Sequence, residues 1–158
     1  MIMSGDKLTF KSSSKEVSER MRRMPTANSK PEIRLRKSLY ARGFRYRIHR
    51  RDLPGRPDIA FGPAKVAVFV DGCFWHNCPI HGTVPKSNTQ WWEEKFKRNR
   101  ERDRLKDKQL SEIGWISIHV WEHENVLQAT ERIILAIQDR INWYINSSKL
   151  TIVRAPGL

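Results

Sequence analysis

Apolar and polar residues follow one another along this chain in a few regular segments, separated by punctuation rich in Gly and Pro. Residues 1–16 are rich in Ser and Lys, show no periodicity and are expected to form a disordered tail. In Ser29-Lys30-Pro31-Glu32, a cap residue, a proline in the first turn and an acid three residues after the cap predict a helix running to Gly43. From Phe44 to His49 aromatic or aliphatic residues alternate with basic ones, as in a half-exposed strand. Leu53-Pro54-Gly55-Arg56-Pro57 reads as a turn that delivers Asp58 to the start of a second short strand, Ile59 to Phe61. The run Lys65 to Val70 is apolar past its first residue, the pattern of a central strand covered on both faces.

The second half reads differently. Cys73 to Pro85 is a loop crowded with Cys, His, Gly and Pro. Ser87 or Asn88 can cap a long helix that continues to Ile113 and stops at Gly114; it has few apolar positions after Trp92 and Phe96, so it is mostly solvated or lies against a charged partner. Trp115 to Trp121 alternates as a strand, and Val126, Ile133, Ile137, Ile141 and Tyr144 mark one face of a closing amphipathic helix. The order of helix, three strands, loop, helix, strand and helix predicts a mixed α/β domain, with helices on both faces of a small sheet. It is one domain over residues 17–146, followed by a C-terminal tail at 147–158.

Composition narrows the class. A chain of 158 residues with 39% hydrophobic content supports one core. The formal charge of +13 favours a polyanionic partner, nucleic acid ahead of an anionic membrane. The excess is concentrated in residues 1–50 and between Lys86 and Lys108, whereas residues 51–80 are balanced. Lacking both an 18-residue apolar run and an apolar signal core, the chain is expected to be cytoplasmic and free of membrane.

The balanced segment holds the candidate chemistry. Asp58 and Asp71 stand at adjacent strand ends, where two carboxylates suit a hard divalent cation such as Mg²⁺ in phosphodiester chemistry, although Asp58 also reads as an ordinary turn residue. His76 beside them is the natural general base or acid near neutral pH. Cys73, Cys78, His81 and the distant His123 form a possible tetrahedral Zn²⁺ set, four protein ligands implying a structural site. Two buried free thiols with solvent-exposed histidines, or a Cys73–Cys78 disulfide, are the alternatives. Phe74, Trp75, Trp91 and Trp92 stand among turn and basic residues, which suits stacking on bases as well as core packing.

At Leu53-Pro54-Gly55-Arg56-Pro57-Asp58 and at Val70-Asp71-Gly72-Cys73-Phe74-Trp75-His76 the chain resembles the very short patch repair (Vsr) DNA mismatch endonuclease family. Met21, the stretch Ser29 to Arg36, Trp92 to Lys95 with Asn99 and Arg102-Asp103, and Gly114-Trp115 through Val120 to His123 extend the likeness over roughly residues 15–130. The resemblance implies a restriction endonuclease-like core and an enzyme that nicks DNA 5′ of the thymine in a T·G mismatch left by 5-methylcytosine deamination. It implies that Asp58 and the main-chain carbonyl of Val70 bind Mg²⁺, that His76 is catalytic, and that Glu32 assists through water. Glu32 also completes a capping box with Ser29, and both readings stand. Asp71 falls where a well-known member has histidine; either side chain can handle a proton or touch a metal-bound water. At the zinc set His123 replaces a cysteine, and His81 is displaced by one residue from the corresponding ligand. Met21, Phe74, Trp75 and Trp92 fall on or beside residues that wedge into the duplex, and Lys95 and Asn99 are candidates for base-edge contacts. The implied partners are mismatched double-stranded DNA and, functionally, mismatch-repair proteins and a cytosine-5 methyltransferase. Nicking one strand implies a monomer. Two other readings compete: a related nicking or restriction nuclease acting on matched sites, and a non-enzymatic zinc-stabilised DNA-binding module.

Overall fold

The computed structural model describes residues 27–152 together with Glu19, Arg22 and Arg23, side chains from 148 onward excepted. The expected N-terminal tail and Met21 lie outside the described residues. Helix α1 spans Lys30–Ala41, strand β1 Ile59–Phe61, β2 Val66–Asp71, helix α2 Thr89–Glu112, β3 Ile116–Trp121 and α3 Val126–Ile152. The sheet is mixed, with β2 central: β1 pairs with it antiparallel (Ile59 opposite Val68) and β3 parallel (Val68 opposite Ile118).

Both faces of β2 are buried, as its continuous apolar run predicts. On one face Val66 and Val68 join Leu35 and Leu39 of α1 and Ile133 and Ile137 of α3 in the main core. On the other, Ala67 and Phe69 pack with Leu53, Leu110 of α2 and Trp115 in a smaller cluster. Past Phe69 the same face of the sheet presents Asp71, and there it turns polar.

Three expectations are corrected. Residues 44–49 form no strand: a single antiparallel bridge joins Arg47 to Ala60, Phe44 and Tyr46 pack edge-on against Phe61, and the positive φ of His49 (47°) breaks the extended run. The sheet therefore has three strands instead of four. The apolar inward stripe of α3 stops at Ile137: Ile141 is 39% exposed, and beyond Ile137 it is Arg140 that reaches inward, to the Ala64 and Gly114 carbonyls and the Tyr144 hydroxyl. The helix itself continues to Ile152, six residues past the expected domain end. Among the described residues no helix is long and apolar enough to cross a membrane.

Candidate active site

A cleft of about 660 Å³ opens between the end of β2, helix α2 and the loop before β1, and Asp58, Val70, Asp71 and His76 all line it. The Leu53–Pro57 turn shapes one wall. Arg56 N–H donates to the Leu53 carbonyl (3.1 Å), and Gly55 adopts φ +77°. The backbone angle calls for glycine, and a Cβ there would also come within 2.8 Å of the Lys106 side chain and 3.1 Å of the Phe69 ring. The turn places Asp58 against the last residues of β2, where its Oδ2 accepts the Val70 N–H at 2.8 Å. Burial pushes the Asp58 carboxyl up to about 6 against the opposing Val70 hydrogen bond, and nearby Glu32 adds to the rise.

Opposite Asp58, acids and histidines alternate across the cleft. His76 Nδ1 meets Asp103 Oδ2 at 2.8 Å, and Lys106 Nζ donates to the other Asp103 oxygen at 2.9 Å. Burial works to raise Asp103, but the hydrogen bond from Lys106 and the charge of His76 outweigh it and hold the carboxyl low. The remaining His76 nitrogen, Nε2, stands 3.9 Å from Asp71 Oδ1. Asp71 turns its Oδ2 to His119 Nδ1 (2.6 Å), and His119 Nε2 meets Asp107 Oδ1 (3.1 Å). The hydrogen bond that His119 donates to Asp71, reinforced by Asp107, holds the ring at about 9 despite burial, which keeps it protonated at neutral pH. A histidine raised from near 6.5 adds stability that is complete below pH 6.5 and is lost as pH rises through about 9. An NMR titration in EDTA should show His119 titrating near pH 9; a midpoint near 6.5 would contradict this pairing.

Behind Asp58, Glu32 does what the capping box requires and more. Its Oε1 accepts from the backbone N–H and hydroxyl of Ser29, while Oε2 accepts from Asn28 N–H and from Arg36 at 2.9 Å. Both oxygens are thus engaged within α1 and its cap. Arg36 also reaches Asn28, His49 and the Asp58 carbonyl, tying the helix to the Asp58 turn.

The second constellation assembles outside this cleft. Ligand atoms of Cys73, Cys78, His81 and His123 all lie within 4.8 Å of one another, bringing His123 from beyond β3 to the loop after β2. His123 Nδ1 sits 3.0 Å from Cys73 Sγ and 3.7 Å from Cys78 Sγ, around the ~3.6 Å edge of a tetrahedral zinc site with ordinary bond lengths. The cysteines are free thiols, so the disulfide alternative is not realised. Burial beside Cys78 and Glu122 pushes the Cys73 thiol up; for Cys78, N–H groups of His81 and Ile80 overcome burial and bring the thiol down. Glu122 Oε1 accepts the Cys73 N–H (2.7 Å) and adds a second tie between loop and strand.

The aromatic set divides. Trp92 is only 2% exposed and packs with Phe74 and Phe96, so it belongs to the interior and not to a free wedge. Phe74 and Trp75 are half-buried and in edge contact with each other, and Trp91 is half-buried with the Lys95 ammonium 5.7 Å above its ring. Asn99 is buried as well: its amide donates to the Trp75 carbonyl (2.8 Å) and accepts from Arg102, so it holds the aromatic loop instead of presenting itself to bases. Sequence reasoning passed over His119, Lys106 and Asp107, and took Asp103 only as part of the family likeness, without a site role. The available signals were a histidine on the Ser117, His119, Trp121 alternation of β3, the face turned away from the core side chains Ile116, Ile118 and Val120, and acids at i, i+4 on a basic helix.

Comparison with known proteins points to one family. Residues 9–81 match the family model described as DNA mismatch endonuclease Vsr. The chain is 43% identical over 113 residues to the type II nicking enzyme V.NaeI of Lentzea aerocolonigenes, covering 68% of both chains. It is 42% identical over 106 residues to the type II nicking enzyme V.XorIIP of Xanthomonas oryzae pv. oryzae, covering 66% of this chain and 77% of that one. With DNA mismatch endonuclease Vsr of Escherichia coli it shares 38% identity over 107 residues, 66% of this chain and 68% of the relative.

Proposed function

Because the chain belongs to the DNA mismatch endonuclease Vsr family and is a DNA endonuclease, we propose that it nicks one strand of a duplex 5′ of the thymine in a T·G mismatch, using Mg²⁺. The observation that carries this reading is the convergence of Asp58, Val70, Asp71 and His76 on one cleft rimmed by Arg51, Arg56 and Lys106. Carboxylates at the floor suit a cation, and basic side chains at the rim suit a phosphate backbone. The sheet with helices on both faces suits a restriction endonuclease-like core, and the enzyme would act on chromosomal DNA in the cytoplasm. A cytosine-5 methyltransferase and mismatch-repair proteins are its functional partners in this reading, and it would act as a monomer.

Asp58 fits a divalent cation. One of its oxygens is taken by Val70 N–H, the other has no hydrogen-bond partner among the described residues, and its carboxyl is held high by burial, a cost that a bound cation relieves. Asp58 and the Val70 carbonyl would hold the ion, which when bound supplies Lewis-acid stabilisation of the charge building on the phosphate. His76, held at Nδ1 by Asp103, offers Nε2 to take the proton of the attacking water or to orient it. Lys106 holds Asp103 in place and thereby fixes the ring. Hydrolysis leaves a 5′ phosphate and a 3′ hydroxyl. Glu32, fully occupied by Ser29, Asn28 and Arg36, acts through the shape of the Asp58 turn. Phe74 and Trp75 would wedge beside a T·G wobble, which stacks less well than a matched pair and so costs less to open. Lys95, over the Trp91 ring, would supply base-edge or phosphate contact.

Cys73, Cys78, His81 and His123 would hold a structural Zn²⁺ that pins the loop carrying His76. Purified protein should contain one zinc per chain, and Cys78→Ala should lose it together with on the order of 4 kcal/mol of stability. Absence of zinc, or an unchanged melting temperature in the variant, would overturn this assignment.

Single-turnover rates on otherwise identical T·G and C·G duplexes test the specificity: a strong preference for T·G is expected. A second reading, nicking at matched sites, is favoured by the relatives named as nicking enzymes, and equal rates on the two duplexes would select it.

A further inference from the structure

His119 stands in the cleft, outside the chemistry assigned above. Its ring is fixed from two elements at once: Asp71 of β2 at Nδ1 (2.6 Å), Asp107 of α2 at Nε2 (3.1 Å), and the Phe69 ring of β2 stacked on its face at 5.2 Å and 18°. Packing alone would be served by an apolar residue, as Phe69 and Trp115 in the neighbouring cluster show. A histidine between two acids instead costs desolvation, and what it obtains is control of a carboxylate. Asp71 would otherwise rotate about its terminal torsion; with Oδ2 held by His119, Oδ1 is left facing His76 Nε2 at 3.9 Å. That separation is too long for a direct hydrogen bond and short enough for one water oxygen to touch both groups.

We propose that His119 is a positioning residue for strand cleavage: anchored by Asp107, it fixes the Asp71 carboxylate so that Asp71 and His76 address the same attacking water. The proposal rests on the nicking reading above. Both His119 nitrogens face carboxylates, so both must donate, which the doubly protonated ring supplies.

The test is nicking kinetics of the full chain on T·G and C·G duplexes for wild type, H119A, H119N, D107N, D71N and the double variant H119A/D71N, with circular dichroism and melting on each. H119A should lower kcat about 10–100-fold while KM and duplex affinity stay within about twofold. H119N, whose side-chain amide donates from near the Nδ1 position, should recover most of the loss, and D107N should cost a few-fold in kcat. The double variant should be no slower than D71N alone, since the two residues act as a unit. Wild-type kcat in H119A, or fully additive losses in the double variant, overturns the inference alone. If H119A does not fold, D107N, which removes only the half-exposed anchor on α2, decides, and an unchanged kcat there overturns it. A wild type that nicks neither duplex overturns the nicking reading, and this inference with it.

Discussion

Replacing Asp58 with alanine is expected to reduce nicking at least about a thousandfold, equivalent to ~4 kcal/mol of lost transition-state stabilisation, while duplex binding survives. The reasoning is local. Asp58 is the cleft carboxyl that the turn presses against β2, and the basic side chains Arg51, Arg56 and Lys106 proposed to meet the duplex make no hydrogen bond to it. Alanine leaves the Val70 N–H without its acceptor, so Asp58→Asn is the cleaner variant: the amide oxygen keeps that hydrogen bond and removes the charge. Its stability also has a definite sign. A carboxyl held up to about 6 weakens the fold as pH rises from near 4 through 6, so Asp58→Asn should melt no lower than wild type at pH 8. Loss of DNA binding in parallel with loss of nicking would contradict a catalytic assignment.

His76→Ala is expected to cost about 10²–10⁴ in kcat, the range for a positioned proton acceptor, again with affinity retained. The ring is held at one nitrogen by Asp103, itself fixed by Lys106, and the other nitrogen opens on the cleft. Asp103→Asn should therefore produce a smaller loss in the same parameter, because it loosens the ring without removing it. Equal losses in kcat and in duplex affinity for His76→Ala would point to a binding role.

Local chemistry was legible in the sequence wherever it was also local in space. The Ser29 capping box starts α1 at the expected residue, the apolar run before Asp71 is the central strand, and Gly114 follows the end of α2. The cleft residues Asp58, Asp71 and His76 could be named because Asp58 directly precedes β1, Asp71 ends β2 and His76 follows it by five residues. Partnerships across elements were not legible. His119 reaches Asp71 only because β3 runs parallel to β2 with Phe69 opposite His119, and pairing register is a tertiary fact. Burial misled in the same way: Trp92 and Asn99 lie on a strongly basic helix, yet both turn inward to hold the Phe74-Trp75 loop. Residues 44–49 alternate like a strand, but alternation does not supply a partner, and β1 offers them one bridge.

The central claim is tested most directly by mapping the cut. A duplex carrying one T·G pair, labelled on each strand in turn, is incubated with the protein in Mg²⁺ or in EDTA and resolved to the nucleotide. Expected is a single nick immediately 5′ of the mismatched thymine, on that strand only, with a 5′ phosphate, in Mg²⁺ and not in EDTA. Cleavage of both strands, a cut placed elsewhere, or undiminished nicking in EDTA would contradict it.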